Sequence, residues 1–295
     1  MYLIVVATIV SIYAILALSV NIVTGYTGRP NLGQASFFGI GAYTTAILAG
    51  KYGVGFMPSL IISGMIAGII GLLLGLVSLR VKEDFLAITT IGFNFVIVAI
   101  FQYVPFFGAS MGLSIPPLKL FSIPIGHIGL LAIVLLLMLL VILFSYRLER
   151  SWLGIALVSI RNNEDAAESL GIDVRRFKVI SFGISTFIAG LAGCVYAYYM
   201  GFIMSYNFQF MTSIAILSMA VVGGLGTIAG PIIGAVILGL IPEVFRFASD
   251  YRLLIYGTIL VLMMCFKPQG IMGGDNSTFI NLIRKTPPKT AGMDK

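Results

Sequence analysis

VISFGISTFIAGLAGCVYAYYMGFIMSYNFQFMTSIAILSMAVVGGLGTIAGPIIGAVILGLIP, residues 179–242, runs for 64 positions without an Asp, Glu, Lys or Arg. As one straight helix it would extend about 96 Å, whereas the hydrocarbon core of a bilayer is about 30 Å thick. The run is therefore expected to cross a membrane about three times, dividing at its polar, glycine-bearing points, residues 201–209 and 223–230. Working outward, charge-free runs at 1–28, 30–50, 52–79, 85–118 and 120–146 can each supply one span. A last, short span is expected at 253–266, flanked by Arg252 and Lys267, whose side chains can snorkel to the interface. The fold class is thus all-α and integral to the membrane, a polytopic helical bundle of about nine spans (8–10).

Composition excludes the other classes. Of the 295 residues, 59% are hydrophobic and 10% charged, against roughly 25% charged in a soluble domain. A disordered chain has the reverse bias. The two cysteines, Cys194 and Cys265, sit in apolar runs, which argues against a disulfide framework or a zinc site. A lone histidine, His127, near the end of a span cannot build a metal cluster or a Ser/His/Asp triad, so an intramembrane enzyme is disfavoured. No positive region precedes the first apolar run, and that run exceeds the 7 to 15 residues of a signal peptide, so residues 1–24 read as a retained helix.

The net charge of +7 follows sidedness, not nucleic acid. With alternating spans, 14 of the 18 Lys and Arg residues fall on one side: Arg29, the loop after Leu79, the segment 147–178 and the carboxyl-terminal tail at 268–295 with Lys267 before it. The positive-inside rule puts that side in the cytoplasm and the amino terminus outside. No acidic or basic residue falls in the middle of a predicted span, which argues against a proton-coupled carrier or a charge-ring channel, and less strongly against a sodium-coupled carrier. The polar interior is neutral, with Asn21, Asn31, Gln34, Asn94 and several Ser and Thr side chains, residues suited to hydrogen bonding between helices.

Two apolar regions are interrupted by glycine. One is Gly25-Tyr26-Thr27-Gly28-Arg29-Pro30-Asn31-Leu32-Gly33-Gln34, followed by Gly39 and Gly41; the other is Gly223-Gly224-Leu225-Gly226, then Gly230-Pro231 and Gly234. Paired interrupted segments point to a transport pathway, so Asn21, Tyr26, Gly28, Asn31, Gln34, Asn94, Gly223, Gly224, Gly226 and Pro231 are the candidate pathway residues; close small-residue packing is the competing reading. A re-entrant hairpin at either region would change the span count.

Residues 147–178 carry six basic and five acidic side chains. Their centre, Arg161-Asn162-Asn163-Glu164-Asp165-Ala166-Ala167-Glu168-Ser169-Leu170-Gly171, reads as a short helix. Asn162 or Asn163 can cap its start, Glu164 and Asp165 suit the positive end of its dipole, and Gly171 can take the left-handed terminus. Ala166, Ala167 and Leu170 are expected to form a small apolar face, with Arg161, Glu164, Asp165 and Glu168 around it, shaped to dock into a groove on a partner.

Here a family resemblance appears. Asp165-Ala166-Ala167 with Gly171 resembles the coupling loop of ABC importer permeases. The first glycine region through Tyr43, the run Ala189-Gly190-Leu191-Ala192-Gly193, the second glycine region and Lys267-Pro268-Gln269-Gly270 resemble, in order, the LivM-type permease of branched-chain amino acid importers. Three stretches depart from the patterns: Ser181-Phe182-Gly183 stands where the general importer motif has Ile, Leu and Pro, Phe95 stands where an acidic residue is usual, and Gly108-Ala109-Ser110-Met111-Gly112-Leu113 matches only in part. The resemblance implies one permease domain over 1–295, a LivH-like second permease, two ATP-binding subunits, an extracytoplasmic amino-acid-binding protein and a bacterial inner-membrane location. It also implies that the chain binds no cofactor, with Mg-ATP held by the partners. Consistently, the one Gly-Lys pair, Gly50-Lys51, is followed by Tyr52 and has Thr45 where a Walker A loop needs its first glycine. The expected cargo is leucine, isoleucine, valine or a similar neutral amino acid, with urea or short amides as the alternative. A carrier or channel working alone is the rival class.

Overall fold

A computed structural model describes residues 2–81, 83–120, 123–244, 257–258, 261–262, 265 and 270–272. The expected span at 253–266, the tail at 268–295 and most of the Lys267-Pro268-Gln269-Gly270 motif lie outside them. Among the described residues ten α-helices run in chain order: α1 Tyr2–Val20, α2 Gln34–Lys51, α3 Phe56–Ser78, α4 Glu83–Tyr103, α5 His127–Arg150, α6 Trp152–Asn162, α7 Glu164–Ser169, α8 Val174–Met200, α9 Phe210–Gly223 and α10 Ala229–Val244. Six helical stretches among the described residues are long and apolar enough to cross a membrane: Tyr2–Tyr26, Phe56–Ser78, Phe85–Tyr103, His127–Arg150, Val174–Met200 and Ser205–Gly223.

With lipid as apolar as leucine, what turns one face inward is residue size. On α3, Ser59, Ser63, Ala67, Gly71 and Gly75 recur every fourth position and are buried, while Ile61, Met65, Ile69, Leu73 and Leu76 face outward. The small stripe lets α3 lie directly against α8: a Cβ on Gly71 would stand 1.8 Å from Thr186 Oγ1, and one on Gly190 2.6 Å from the Ala67 Cβ. The other side of α8 meets α2 equally closely, a Cβ on Gly41 falling 2.2 Å from the Gly190 carbonyl oxygen and one on Gly193 2.2 Å from that of Phe38. Helix α8 is therefore the buried centre post. Gly201, at φ +66°, ends it, as the division of the long run anticipates.

At the end of the bundle away from residues 147–178, α4 stops at Tyr103, so the run 85–118 is one helix and an irregular excursion. Strand β1 (Leu113–Ser114) pairs antiparallel with β4 (Phe202–Ile203), and β2 (Lys119–Leu120) with β3 (Ile123–Pro124). Lys51 Nζ donates to the Phe106 carbonyl at 2.7 Å and sits over the Phe106 ring. Beneath, Tyr43 stacks on Phe101 at 4.0 Å, with Phe107 and Phe208 edge-on.

Candidate functional site

The two glycine regions, about two hundred residues apart in sequence, meet. Helix α1 passes into a π-helical turn at Asn21–Tyr26, a widening of the helix common at functional positions. From that turn the Asn21 amide uses both ends: Nδ2 donates to the Thr227 carbonyl at 2.8 Å, and Oδ1 accepts from the Gly226 N–H at 2.8 Å. Gly25 has no room for a Cβ, which would lie 2.6 Å from the Gly226 nitrogen. In the second region α9 and α10 form a hairpin whose Gly223 abuts the Gly230 carbonyl and whose Gly234 abuts that of Met219. Pro231 falls in the first turn of α10, where a missing N–H costs nothing. Gly270 rests on Gly224, and the next two residues donate back, Ile271 N–H to the Val222 carbonyl and Met272 N–H to that of Gly223, both at 2.9 Å.

Arg161, the penultimate residue of α6, closes over this junction. Its Nη1 donates to the Gly25 carbonyl at 2.6 Å. Gly28 and Gly226, both at positive φ, stand against it: added Cβ atoms would lie 3.1 Å from Arg161 Cγ and 2.8 Å from Nη1. These glycines leave room for a side chain arriving from the charged segment.

The second tie is ionic. Glu164, the first residue of α7, takes Arg29 Nη2 on Oε1 at 2.8 Å and Lys178 Nζ on Oε2 at 2.5 Å. The side chains of Arg29 and Lys178 are 6% and 7% exposed, that of Glu164 36%. Burial by itself would raise the Glu164 carboxyl, but hydrogen bonds from Lys178 and Arg29 and their charges outweigh it and hold the group below the usual carboxylate range. Arg29 and Lys178 were not among the expected site residues. The available signal was position: Arg29 is the one charged residue between Met1 and Gly50, and it lies inside a glycine region.

Residues 147–178 form the end of α5, helices α6 and α7, and the start of α8. The short-helix expectation holds in its local chemistry. Asn163 caps α7, its Oδ1 accepting from Ala166 N–H at 3.0 Å, and Gly171 follows at φ +83°. The expected apolar face requires correction. Ala167 is buried against the body, whereas Ala166 and Leu170, four apart in the sequence, are exposed, Leu170 by 81%. Adjacent residues on a helix point about 100° apart, so Ala166 and Ala167 cannot share one narrow face. Asp165 and Glu168 are exposed beside Leu170.

Deeper in the bundle the neutral polar residues bond to one another. Asn31 Nδ2 donates to Gln34 Oε1 at 2.7 Å, Gln34 Nε2 to Ser19 Oγ at 2.8 Å, and Ser185 Oγ to the Ser19 carbonyl at 2.6 Å. This network ties α1, α2 and α8 together. Asn94 of α4 donates to the Phe208 carbonyl at 3.3 Å, while its buried Oδ1 accepts nothing among the described residues. Tyr26 is buried beside the junction. A cavity of about 430 Å³ between α4 and α9 is lined by Phe95, Val98, Gln102, Tyr103, Gln209 and Phe210, among others. Among the described residues no cluster of His, Cys, Asp or Glu could hold a metal, and Cys194 and Cys265 are free thiols.

Comparison with known proteins agrees with this architecture. The chain is 35% identical to the high-affinity branched-chain amino acid transport system permease protein LivM of Escherichia coli, over 90% of this chain and 69% of that protein. It is 26% identical to the probable LivM permease of Methanocaldococcus jannaschii, over 88% and 90%, and 25% identical to the LivH permease of E. coli, over 90% and 92%. No solved structure matches. Residues 2–264 match the family described as branched-chain amino acid transport system, permease component, and the chain belongs to that family of multi-pass membrane permeases, which are not enzymes.

Proposed function

We propose that this chain is one transmembrane half of an ATP-driven importer, carrying leucine, isoleucine, valine or a similar neutral amino acid inward by alternating access. The name of the LivM relatives supports the cargo, and the likeness to both LivM and LivH supports a pair of homologous permeases. Two ATP-binding subunits and an extracytoplasmic binding protein complete the assembly. The six apolar stretches, together with α2, α10 and the expected span at 253–266, make nine crossings. The grouping of Arg29, Arg80 and the α6–α7 segment at one end of the bundle supports an amino terminus outside and a cytoplasmic tail.

The observation that carries this reading is the grip of the charged segment on both glycine regions. Leu170 and Ala166 present an exposed apolar step to an ATP-binding subunit. Behind that step Glu164 holds Arg29, and Arg161 holds Gly25 beside Gly226. A push on α7 is thereby delivered to the turn that ends α1 and to the hairpin of α9 and α10, where glycines bring the backbones into close approach. Such junctions have discrete packings and can switch between outward- and inward-open arrangements. Gly223, Gly224, Gly226 and Pro231 shape that junction, and Asn21 joins its halves. Discrimination of cargo falls to the binding protein, because the pathway carries no mid-membrane charge.

The test is uptake of labelled leucine into vesicles holding the assembled importer and its binding protein, with ATP on the side of α7. Uptake that requires ATP and both permeases is expected. Uptake by this chain alone, without any ATPase subunit, would refute the reading.

A further inference from the structure

Helices α3, α5 and α8 enclose an open groove of about 610 Å³ on the flank of the bundle. Its lining runs over residues 65–72 of α3, 137–144 of α5 and 180–191 of α8, so it follows the helix axes for about two turns or more. Leu72, Leu140, Phe144, Ile180 and Ile184 are typical of it. No polar side chain lines it, which is unsuited to a zwitterionic amino acid.

Each lining stripe ends, toward the α6–α7 side, in an arginine. Arg147 lies three positions beyond Phe144 and seven beyond Leu140, on the same face of α5. Arg176 lies four before Ile180 on α8, and Arg80 stands in the turn just past the end of α3. All three are exposed. Arg176 pairs with Asp173 at 2.8 Å, and Arg147 has no ion-pair partner among the described residues.

We propose that the groove holds an acyl chain of an anionic phospholipid, its phosphate bound between Arg147 and Arg176 with Arg80 on the rim. Charge complementarity selects this occupant: the apolar slot runs toward the end of the bundle at which α5 and α8 carry exposed arginines, and a guanidinium holds phosphate oxygens in a two-pronged geometry. A zwitterionic lipid would fill the slot and offer the same phosphate, but its own ammonium offsets that charge and weakens the pairing with the arginines.

The full chain, reconstituted in vesicles of equal phosphatidylglycerol and phosphatidylcholine and released into mild detergent, is examined by native mass spectrometry. The expected result is retained phosphatidylglycerol, favoured several-fold over phosphatidylcholine. The preference falls to near parity in the double variant Arg147→Gln, Arg176→Gln, whose exposed sites leave thermal stability unchanged. Leu140→Trp, which fills the slot without touching charge, also lowers retention. Equal retention of both lipids by the unaltered chain, an undiminished preference in the double variant, or undiminished retention in Leu140→Trp would each overturn the proposal. So would displacement of the lipid when the second permease is added, which would make this face a protein interface.

Discussion

Replacing Glu164 by Gln removes the carboxylate that Arg29 and Lys178 share while keeping the side chain's size. Each contact is a charge-assisted hydrogen bond worth about 1.5–3 kcal/mol, and cutting a wholly buried ion pair costs about 3–5 kcal/mol. Glu164 is more than a third exposed, so solvent screens part of that loss, and we expect the attachment of α7 to weaken by roughly 2 kcal/mol. A shift of that size is about thirtyfold in an opening equilibrium. Hydrogen exchange of the α7 amides reads it directly, because these amides open locally at a free energy set by the segment's own ties. Exchange should accelerate about thirtyfold in the variant, and ATP-driven uptake should fall by at least tenfold. In a double-mutant cycle with Arg29→Gln, the two losses should couple by at least about 1 kcal/mol. The sign with pH follows: a carboxyl held low in the folded chain stabilises above its unfolded value of about 4.3, and that contribution is lost as pH falls through the depressed one. Unaltered exchange in the Gln variant, with uptake intact, would refute the tie.

Five further substitutions separate docking, clamp and packing. Leu170→Asp should abolish ATPase coupling without lowering thermal stability, whereas Ala167→Asp places a charge in a buried site and should destabilise the membrane subunit itself, both read by thermal shift beside ATPase assays. Gly226→Ala forces a side chain into positive φ and against Arg161 Nη1; a cost of about 1–2 kcal/mol and an uptake loss of tenfold or more are expected, measured in the assembled importer. Gly41→Val pushes α2 off α8 and should prevent recovery of folded chain from the membrane, scored by size-exclusion profile, while Gly92→Val, which meets nothing within 4 Å, should be tolerated.

Local features were legible in the residues and long-range ones were not. A helix cap needs only its neighbours, so Asn163, Gly171 and Gly201 could be read in place. The division of the 64-residue run at its glycines was equally local. Asn21 gave no hint of a partner, because its two bonds reach Gly226 and Thr227 and depend on how α1 meets the α9–α10 hairpin. The apolar face of α7 failed for a related reason: alanine is neutral toward inside and outside, and only the packed body turns Ala167 in and Ala166 out. Arg29 counted as a topological marker, yet its burial arises because Glu164, 135 positions later, supplies a counter-charge. In lipid, periodicity of hydrophobicity is silent, since both faces of a helix are apolar, and the spacing of small residues on α3 carries the information instead.

The return of Ile271 and Met272 to the end of α9 makes the limits of the family match and of the structural unit differ. The match closes at residue 264, yet the last carbonyls of α9 borrow their donors from 271 and 272. A chain shortened at the boundary of the match would lose the Lys267-Pro268-Gln269-Gly270 motif and leave two helix-terminal oxygens bare in a setting poor in water, at a cost of about 1–3 kcal/mol for each. Any boundary drawn for swapping parts between relatives belongs beyond Met272.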